Sequence, residues 1–468
     1  MLTRRQFLAA SSAAALLPHL AHLARAEGIG FPKTFRWGAS TSALQIEGGL
    51  SEGGRGPSIW EEFCRRPGVI RDGSSPSPAC DHYRVWKDDI ALMRKLGIDS
   101  YRFSVAWPRV FPQGSGKINP RGLDFYDRLT DGLMKAGIRP MACLYHWDLP
   151  QALQDRGGWL NRDIANWMSE YGMAVARRLG DRVKDWFALN EPAVSAIFGH
   201  GYAEHAPGLN GGKEAALKAL HHHNLAQGRT LRALRAENSH WKLGTVLSLQ
   251  PVVPSTESEA DRAAAIRFDA LWNRVALDGV MRGRLPDILA ADLAPYVMPG
   301  DLAEIQVPLD VLGVNYYSPL TLQYQPGRIL DAWWGQPHIE RRTAMDWPVE
   351  PGGLVQILTE LKELYGNPAV LITENGAAYD DQPDAQGRIA DPERIAFLRD
   401  HLAALRQAIE AGCNVQGYLV WSLLDNWEWQ FGYSRRFGLT HVDYANQKRT
   451  PKDSFAWFAE VIRTGALG

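Results

Sequence analysis

Between residues 35 and 422 the chain alternates eight short apolar or β-branched runs with helical patterns, and this alternation restricts the fold more than any other feature. The runs cover 35–40, 100–105, 139–145, 186–190, 242–249, 311–315, 370–373 and 417–422. Each is apolar over most of its length, as strands buried on both faces of a parallel sheet must be. Helical periodicity falls between them at 88–96, 123–136, 164–179 and 392–411, the last opening with Asp391 as N-cap and Pro392 at the first helical position. Strands separated by helices in this way predict an α/β protein built as a single (β/α)8 barrel, with its site at the C-terminal ends of the strands. A doubly wound open sheet is the alternative, weakened because no Gly-rich nucleotide fingerprint follows any run. A chain of 468 residues would suggest about three domains at ~150 residues each, but large barrels escape that rule. No sharp linker or internal repeat divides it, so one barrel domain is expected over 27–468.

The first 26 residues read as an address rather than as fold. Arg4 and Arg5 precede an Ala/Leu-rich stretch that ends at Ala24-Arg25-Ala26. A basic start, an apolar middle and a small-x-small end make a secretory signal. Thr3-Arg4-Arg5-Gln6-Phe7-Leu8 resembles a bacterial twin-arginine signal, which implies export as a folded protein. Pro18, His19 and His22 interrupt the apolar run and argue against a membrane anchor. Cleavage is expected after Ala26, giving a periplasmic or secreted chain. In an oxidising compartment Cys64 and Cys80 could pair, whereas Cys143 and Cys413 sit in apolar surroundings and read as buried free thiols.

With 51 Lys+Arg against 52 Asp+Glu, the charge gives no reason to bind nucleic acid or an acidic membrane. His221-His222-His223 invites a metal reading, but three consecutive helical residues do not face one point. They read as helix-surface or core-edge histidines. The stretches 209–214 and 380–391 read as surface loops, the second lacking ordered calcium-ligand spacing. The 17 Trp suit a core, and they also suit stacking against sugars.

Chemistry in such a barrel sits just past the strands. The fourth run ends in Asn190-Glu191-Pro192, the seventh in Thr373-Glu374-Asn375-Gly376, and the third in Tyr145-His146-Trp147-Asp148. The eighth leads through Trp421 to Asp425-Asn426-Trp427-Glu428-Trp429, and the first to Gln45-Ile46-Glu47-Gly48. Two carboxylates with aromatic walls at one mouth are the equipment for cleaving a glycosidic bond.

Taken together, FRWGASTSALQIEG at 35–48, YRFSVAWPR at 101–109, YHWDLP at 145–150, LNEP at 189–192, GVNYYSP at 313–319, ITENG at 372–376, WSLLDNWEW at 421–429 and GYSRRFGL at 432–439 resemble glycoside hydrolase family 1, β-glucosidase type, over nearly all of 31–462. A lone NEP or TENG is weak; all of them in family order and spacing are strong. The resemblance implies Glu191 as acid/base and Glu374 as nucleophile of a retaining reaction, whose two carboxyls stand ~5–5.5 Å apart. It implies that Arg102 and Tyr317 contact the nucleophile and lower its pKa, with Asn315 as support. Burial and the charge of Glu374 would keep Glu191 protonated. Asn190 would meet the sugar 2-hydroxyl. Gln45, His146, Glu428 and Trp429 would hold the other hydroxyls, with Trp421 beneath the ring and Phe437 as a further wall.

Outside this context a Glu at a strand end is usually a solvated charge, His146 a core histidine and the tryptophans core. Trp427 and Glu47 are read as structural. Trp333, Trp334 and Trp347 could line the leaving-group side or pack a loop. The resemblance further implies O-glycosides, because Glu191 stands where the family's thioglucosidases carry Gln. It implies unphosphorylated sugars, because Glu428 stands where the 6-phosphoglycosidases lack a carboxylate, although Arg435 and Arg436 lie nearby. The expected partner is a small-molecule β-glycoside, glucosides first, with neither nucleic acid nor membrane. No cofactor or metal is implied, since acid, base and nucleophile are all side chains. A transglycosylase using the same intermediate, or a non-catalytic sugar-binding protein, are the competing functions.

Overall fold

The structure, a computed structural model, describes residues 30–467. The expected signal segment and its cleavage point lie outside the described residues.

Eight strands close a parallel barrel: β1 Arg36–Ser40, β2 Ser100–Ser104, β3 Arg139–Tyr145, β4 Asp185–Asn190, β5 Lys242–Ser248, β6 Val311–Asn315, β7 Val370–Asn375 and β8 Val415–Trp421. Each pairs with its sequence neighbours, and β1 closes on β8 with Ser40 beside Trp421. All eight expected strands are present, displaced by at most two residues at an end. Met141, Cys143, Phe187, Val246, Val311, Leu371 and Leu419 fill the barrel interior. Their near-complete burial is why the runs read as apolar rather than alternating.

The principal helices are α1 His82–Leu96, α2 Pro120–Lys135, α3 Ile164–Leu179, α4 Gly212–Glu237, α5 Val275–Arg282, α6 Pro351–Leu364, α7 Pro392–Glu410 and α8 Asp453–Thr464. The helix expected from residue 88 starts at His82, because a kink at Val85 interrupts its first turn and hides the periodicity there. Among the described residues no helix is long and apolar enough to cross a membrane.

Four expectations need correction. The stretch 209–214 is loop only to Gly211, where α4 begins. Of the two readings of the α4 histidines, helix surface and core edge, the surface one fails: all three are buried, because this long helix is packed on several sides. His221 bonds Asp301 through Nε2 at 2.8 Å, His222 bonds the Trp159 carbonyl at 2.8 Å, and His223 stacks on the Trp159 indole at 3.6 Å. Cys64 and Cys80 are free thiols rather than a pair, and Cys80 is turned inward to donate to the Asp425 carbonyl at 2.9 Å. The stretch 380–391 is a loop, but two of its carboxylates are buried. Asp381 and Asp391 bond Arg394 at 2.5 Å each, Lys452 bridges Asp381 at 2.5 Å and Asp425 at 2.7 Å, and Arg436 reaches Asp425 at 2.8 Å. This balanced network fastens the segment after β7 to the segment after β8.

Candidate active site

The two carboxylates leave the barrel at its two least regular places. The β4–β5 ladder shifts register between Phe187 and Asn190, and β7 shifts against both neighbours just after Ile372. Irregularities of this kind re-aim the side chains that follow. Glu191 adopts a left-handed conformation (φ 49°) before Pro192 opens the next helix, and its amide still bonds Val246 of β5 at 2.9 Å. Such a conformation persists in a glutamate only where its surroundings enforce it. After Glu374, the chain passes so close to β8 that a Cβ on Gly376 would lie 1.7 Å from the Trp421 carbonyl oxygen, so only glycine fits.

Glu374 and Glu191 are both buried and both line one cavity of about 470 Å³ at the barrel mouth. Their partners differ. Arg102 Nη1 donates to one oxygen of Glu374 at 2.7 Å, and the Tyr317 hydroxyl donates to the other at 2.8 Å. Glu191 accepts from the neutral amide of Asn315 at 2.8 Å. Burial, reinforced by the charge of Glu374, holds the Glu191 carboxyl well above the usual carboxylate range. Burial also raises Glu374, and there Arg102 and Tyr317 oppose it. Glu428 is pushed up to about 8, chiefly by burial and then by Glu374.

A chain of amides connects these groups. Asn190 Oδ1 accepts from Arg102 at 2.7 Å and from Asn315 at 3.1 Å, which fixes that amide's orientation. Its Nδ2 must therefore donate to His146 Nε2 at 3.1 Å. Burial holds His146 well below the usual histidine range, so the ring is neutral and Nδ1 carries its proton. That Nδ1–H, buried and without a partner among the described residues, is a donor left over in the cavity wall. Thr373 completes the chain by donating to Asn315 Oδ1 at 2.7 Å.

His146, Tyr317, Trp421, Glu428, Trp429 and Phe437 all line the same cavity. Gln45, Arg102, Asn190 and Asn315 stand one layer behind and hold the wall. Gln45 Nε2 donates to Glu428 at 3.0 Å, while its Oε1 accepts from Ser42 at 2.6 Å. Trp421 and Trp429 flank the His146 ring at 5.9 and 5.8 Å, and Phe437 packs on Tyr317 at 6.2 Å. Trp427 is fully buried, and Glu47 ion-pairs with Arg109 at 2.6 Å, so both are structural as expected. Trp334 and Trp347 line the cavity. Trp333 does not; Arg328 covers its ring at 3.9 Å. Neither Arg435 nor Arg436 lines it.

Sequence reasoning missed Trp147, whose indole donates to the Asn190 carbonyl at 2.9 Å from a left-handed backbone (φ 75°). Its place beside His146 could have marked it. His205, Phe198 and Glu204 were also missed; they come from an irregular segment with no periodic signal.

Fold and site define the class: a (β/α)8 barrel with a buried carboxylate pair in a sugar-sized, aromatic-walled mouth. The chain belongs to glycosyl hydrolase family 1, whose family model matches residues 28–466. Beta-glucosidase A of Thermotoga maritima is 43% identical, covering 93% of this chain and 98% of its own. Thermostable beta-glucosidase B of Thermobispora bispora is 45% identical, covering 97% and 95%. The solved Thermotoga maritima beta-glucosidase in complex with glucoimidazole superposes with a TM-score of 0.89 at 41% identity, covering 93% of this chain and 99% of its own.

Proposed function

We propose that this chain is a retaining β-glucosidase with Glu374 as nucleophile and Glu191 as acid/base. One observation carries the reading: Glu374 receives a guanidinium and a phenol, while Glu191 receives a neutral amide. The first proton to leave the pair therefore leaves Glu374. An ionised nucleophile beside a protonated acid is the resting state that double displacement requires. A Glu374 oxygen bonds the anomeric carbon as the bond to the leaving oxygen breaks, and Glu191 gives that oxygen its proton. Loss of charge at Glu374 then lets Glu191 act as base. It takes a proton from water, the water oxygen bonds the anomeric carbon, and Glu374 departs as carboxylate.

The surrounding wall supports a glucosyl group. The free Nδ1–H of His146, the Glu428 carboxyl and the Trp429 indole face hydroxyls. Trp421 supplies a flat apolar surface beneath the ring. Asn190 holds His146 and Arg102 from behind the wall, Gln45 orients Glu428, and Phe437 closes the side. The relatives named beta-glucosidase support glucose as the sugar. An alcohol can replace water in the second step, so transglycosylation uses the same residues and is read from products at high acceptor concentration. Export through the twin-arginine route rests on residues 3–8 and 24–26, and N-terminal sequencing of secreted protein tests it: Glu27 should come first.

The mechanism is tested by proton NMR of an aryl β-glucoside digest. β-Glucose should appear before its α anomer. Early α-glucose would mean inversion, and Glu374 would not be a nucleophile.

A further inference from the structure

Glu428 and Trp429 reach the cavity wall at the start of a short 3₁₀ stretch, Trp429–Ser434, which is broken at Gly432 (φ 59°, ψ −134°). The turn is closed from inside. The Phe431 amide donates to the Glu428 carbonyl at 2.8 Å, and the Glu428 amide donates to the Gly432 carbonyl at 2.7 Å. Outside it runs a strap, residues 71–79, from the connection between β1 and α1. The Arg71 amide donates to the Gln430 carbonyl at 2.8 Å, and its guanidinium lies over the Phe431 ring at 4.1 Å. The Trp427 indole donates to the Ser74 hydroxyl at 3.0 Å. The Tyr433 hydroxyl accepts from the Ala79 amide at 3.0 Å and donates to the Ser75 carbonyl at 2.9 Å.

Asp72 makes the strap contact that bears on the sugar wall. One of its carboxylate oxygens accepts from the Tyr433 amide at 2.7 Å, and the other from the Ser74 amide at 2.9 Å. The Tyr433 N–H and the Gly432 C=O belong to one planar peptide unit. That peptide meets Asp72 on one edge and the Glu428 amide on the other, and the two bonds polarise each other. The carboxylate also lies against Gly432, where a Cβ would come within 1.9 Å of Asp72 Oδ1. Glycine has few steric limits on its dihedrals, so the 432–433 peptide can rotate unless something holds it. Asp72 itself is exposed and stands outside the cavity lining.

We propose that Asp72 is a positioning residue for sugar recognition. By holding the 432–433 peptide it fixes the backbone of Glu428, and with it the carboxyl that Glu428 turns to the sugar hydroxyls. This rests on the β-glucosidase reading, with Glu428 in the sugar wall. Gln45 orients the Glu428 side chain directly, whereas Asp72 acts through the main chain. A binding group must be held to within ~0.5 Å of its productive place, so a loosened backbone costs recognition even when the side chain is intact. The Tyr433 hydroxyl fastens the same turn without touching this peptide, so the two kinds of contact can be separated by mutation.

The test is a double-mutant cycle measured on an aryl β-glucoside, with Asp72→Ala and Glu428→Gln alone and together. Asp72→Ala should lower kcat/KM by about tenfold, the fold-change of one charge-assisted hydrogen bond. Glu428→Gln removes the carboxyl that the position serves, so adding Asp72→Ala to it should cost less than about twofold. Tyr433→Phe cuts two strap bonds and leaves the peptide held. It should lower the thermal midpoint and keep kcat/KM within about twofold of the unaltered chain. Thermal unfolding of every variant fixes an assay temperature at which all are folded. An equal cost of Asp72→Ala in both backgrounds, or a loss of kcat/KM in Tyr433→Phe as large as in Asp72→Ala, would mean that Asp72 only stiffens the strap. Either result would overturn the proposal while leaving a β-glucosidase in place. An unaltered chain that releases no glucose would instead overturn the β-glucosidase reading on which the proposal rests.

Discussion

Replacing Tyr317 by Phe removes one hydroxyl and keeps the ring that packs against Trp347 and Phe437. The lost bond is a phenol donor 2.8 Å from a buried Glu374 oxygen. A hydrogen bond to a charged group contributes about 1.5–3 kcal/mol. At 1.36 kcal/mol per unit, its loss raises the Glu374 pKa by about 1–2 units. The sign follows from the donor: it stabilises the ionised form, so without it the carboxyl holds its proton to higher pH. The acidic limb of kcat/KM, which reports free-enzyme ionisation, should therefore move up by about 1–2 units. A second effect appears in turnover. Glu374 leaves as a carboxylate when the intermediate breaks down, and that departure loses the same donor. Deglycosylation should slow by about 10- to 100-fold, so a dinitrophenyl glucoside should show a burst in the variant. Stopped-flow release of the phenol and a pH series measure both effects, with thermal unfolding to confirm that the fold is intact. An unmoved acidic limb together with no burst would refute the idea that Tyr317 acts on the charge of Glu374, and with it the assignment of Glu374 as the ionised partner.

Glu191→Ala should cost about 10²–10⁴-fold with alkyl leaving groups and little in the first step with dinitrophenolate, because only poor leaving groups need its proton; equal losses across leaving groups would sink the acid assignment. In the unaltered chain, Glu191 must be protonated to act, so activity on alkyl glucosides should fall as pH rises through its raised pKa. That basic limb should lie above the ordinary carboxylate range and vanish in Glu191→Ala measured with dinitrophenyl glucoside. Lys452→Met leaves Asp381 and Asp425 short of a buried cation and should lower stability by about 3–5 kcal/mol in denaturant unfolding; a loss under ~1 kcal/mol would mean that Arg394 and Arg436 suffice. Thiol titration of the denatured, unreduced chain should count four free cysteines, and a count of two would restore a Cys64–Cys80 bridge.

Sequence and structure agree where local pattern and buried strand character coincide. All eight barrel strands were legible because a strand covered on both faces must be apolar along its length. The motif residues were legible because they follow strand ends, and a barrel gathers strand ends at one rim. The sequence left the histidines of α4 between the helix surface and the core edge, because the neighbours that bury them, Asp301 and Trp159, lie far away in sequence. Residues 380–391 read as a loop, but the cations that bury Asp381 and Asp391 belong to α7 and to the segment after β8.

By itself the sequence determined the barrel and the strand ends that carry Glu191 and Glu374 to its mouth, since both follow from strand order and from positions counted along each strand. Tertiary structure alone decided that two identical carboxyls meet different donors. That depends on Arg102 of β2 and Tyr317 after β6 converging on Glu374 of β7, while Glu191 after β4 meets an amide. It also decided which tryptophans face the cavity. Trp334 turns in and Trp333 turns out because a two-residue alternation on the short strand Ala332–Trp334 sends neighbours to opposite faces, and only the packing of Phe198 and Arg328 on that strand says which face is the cavity's. Electrostatic environment and loop packing arise from contacts between segments distant in the chain, and no local pattern encodes them.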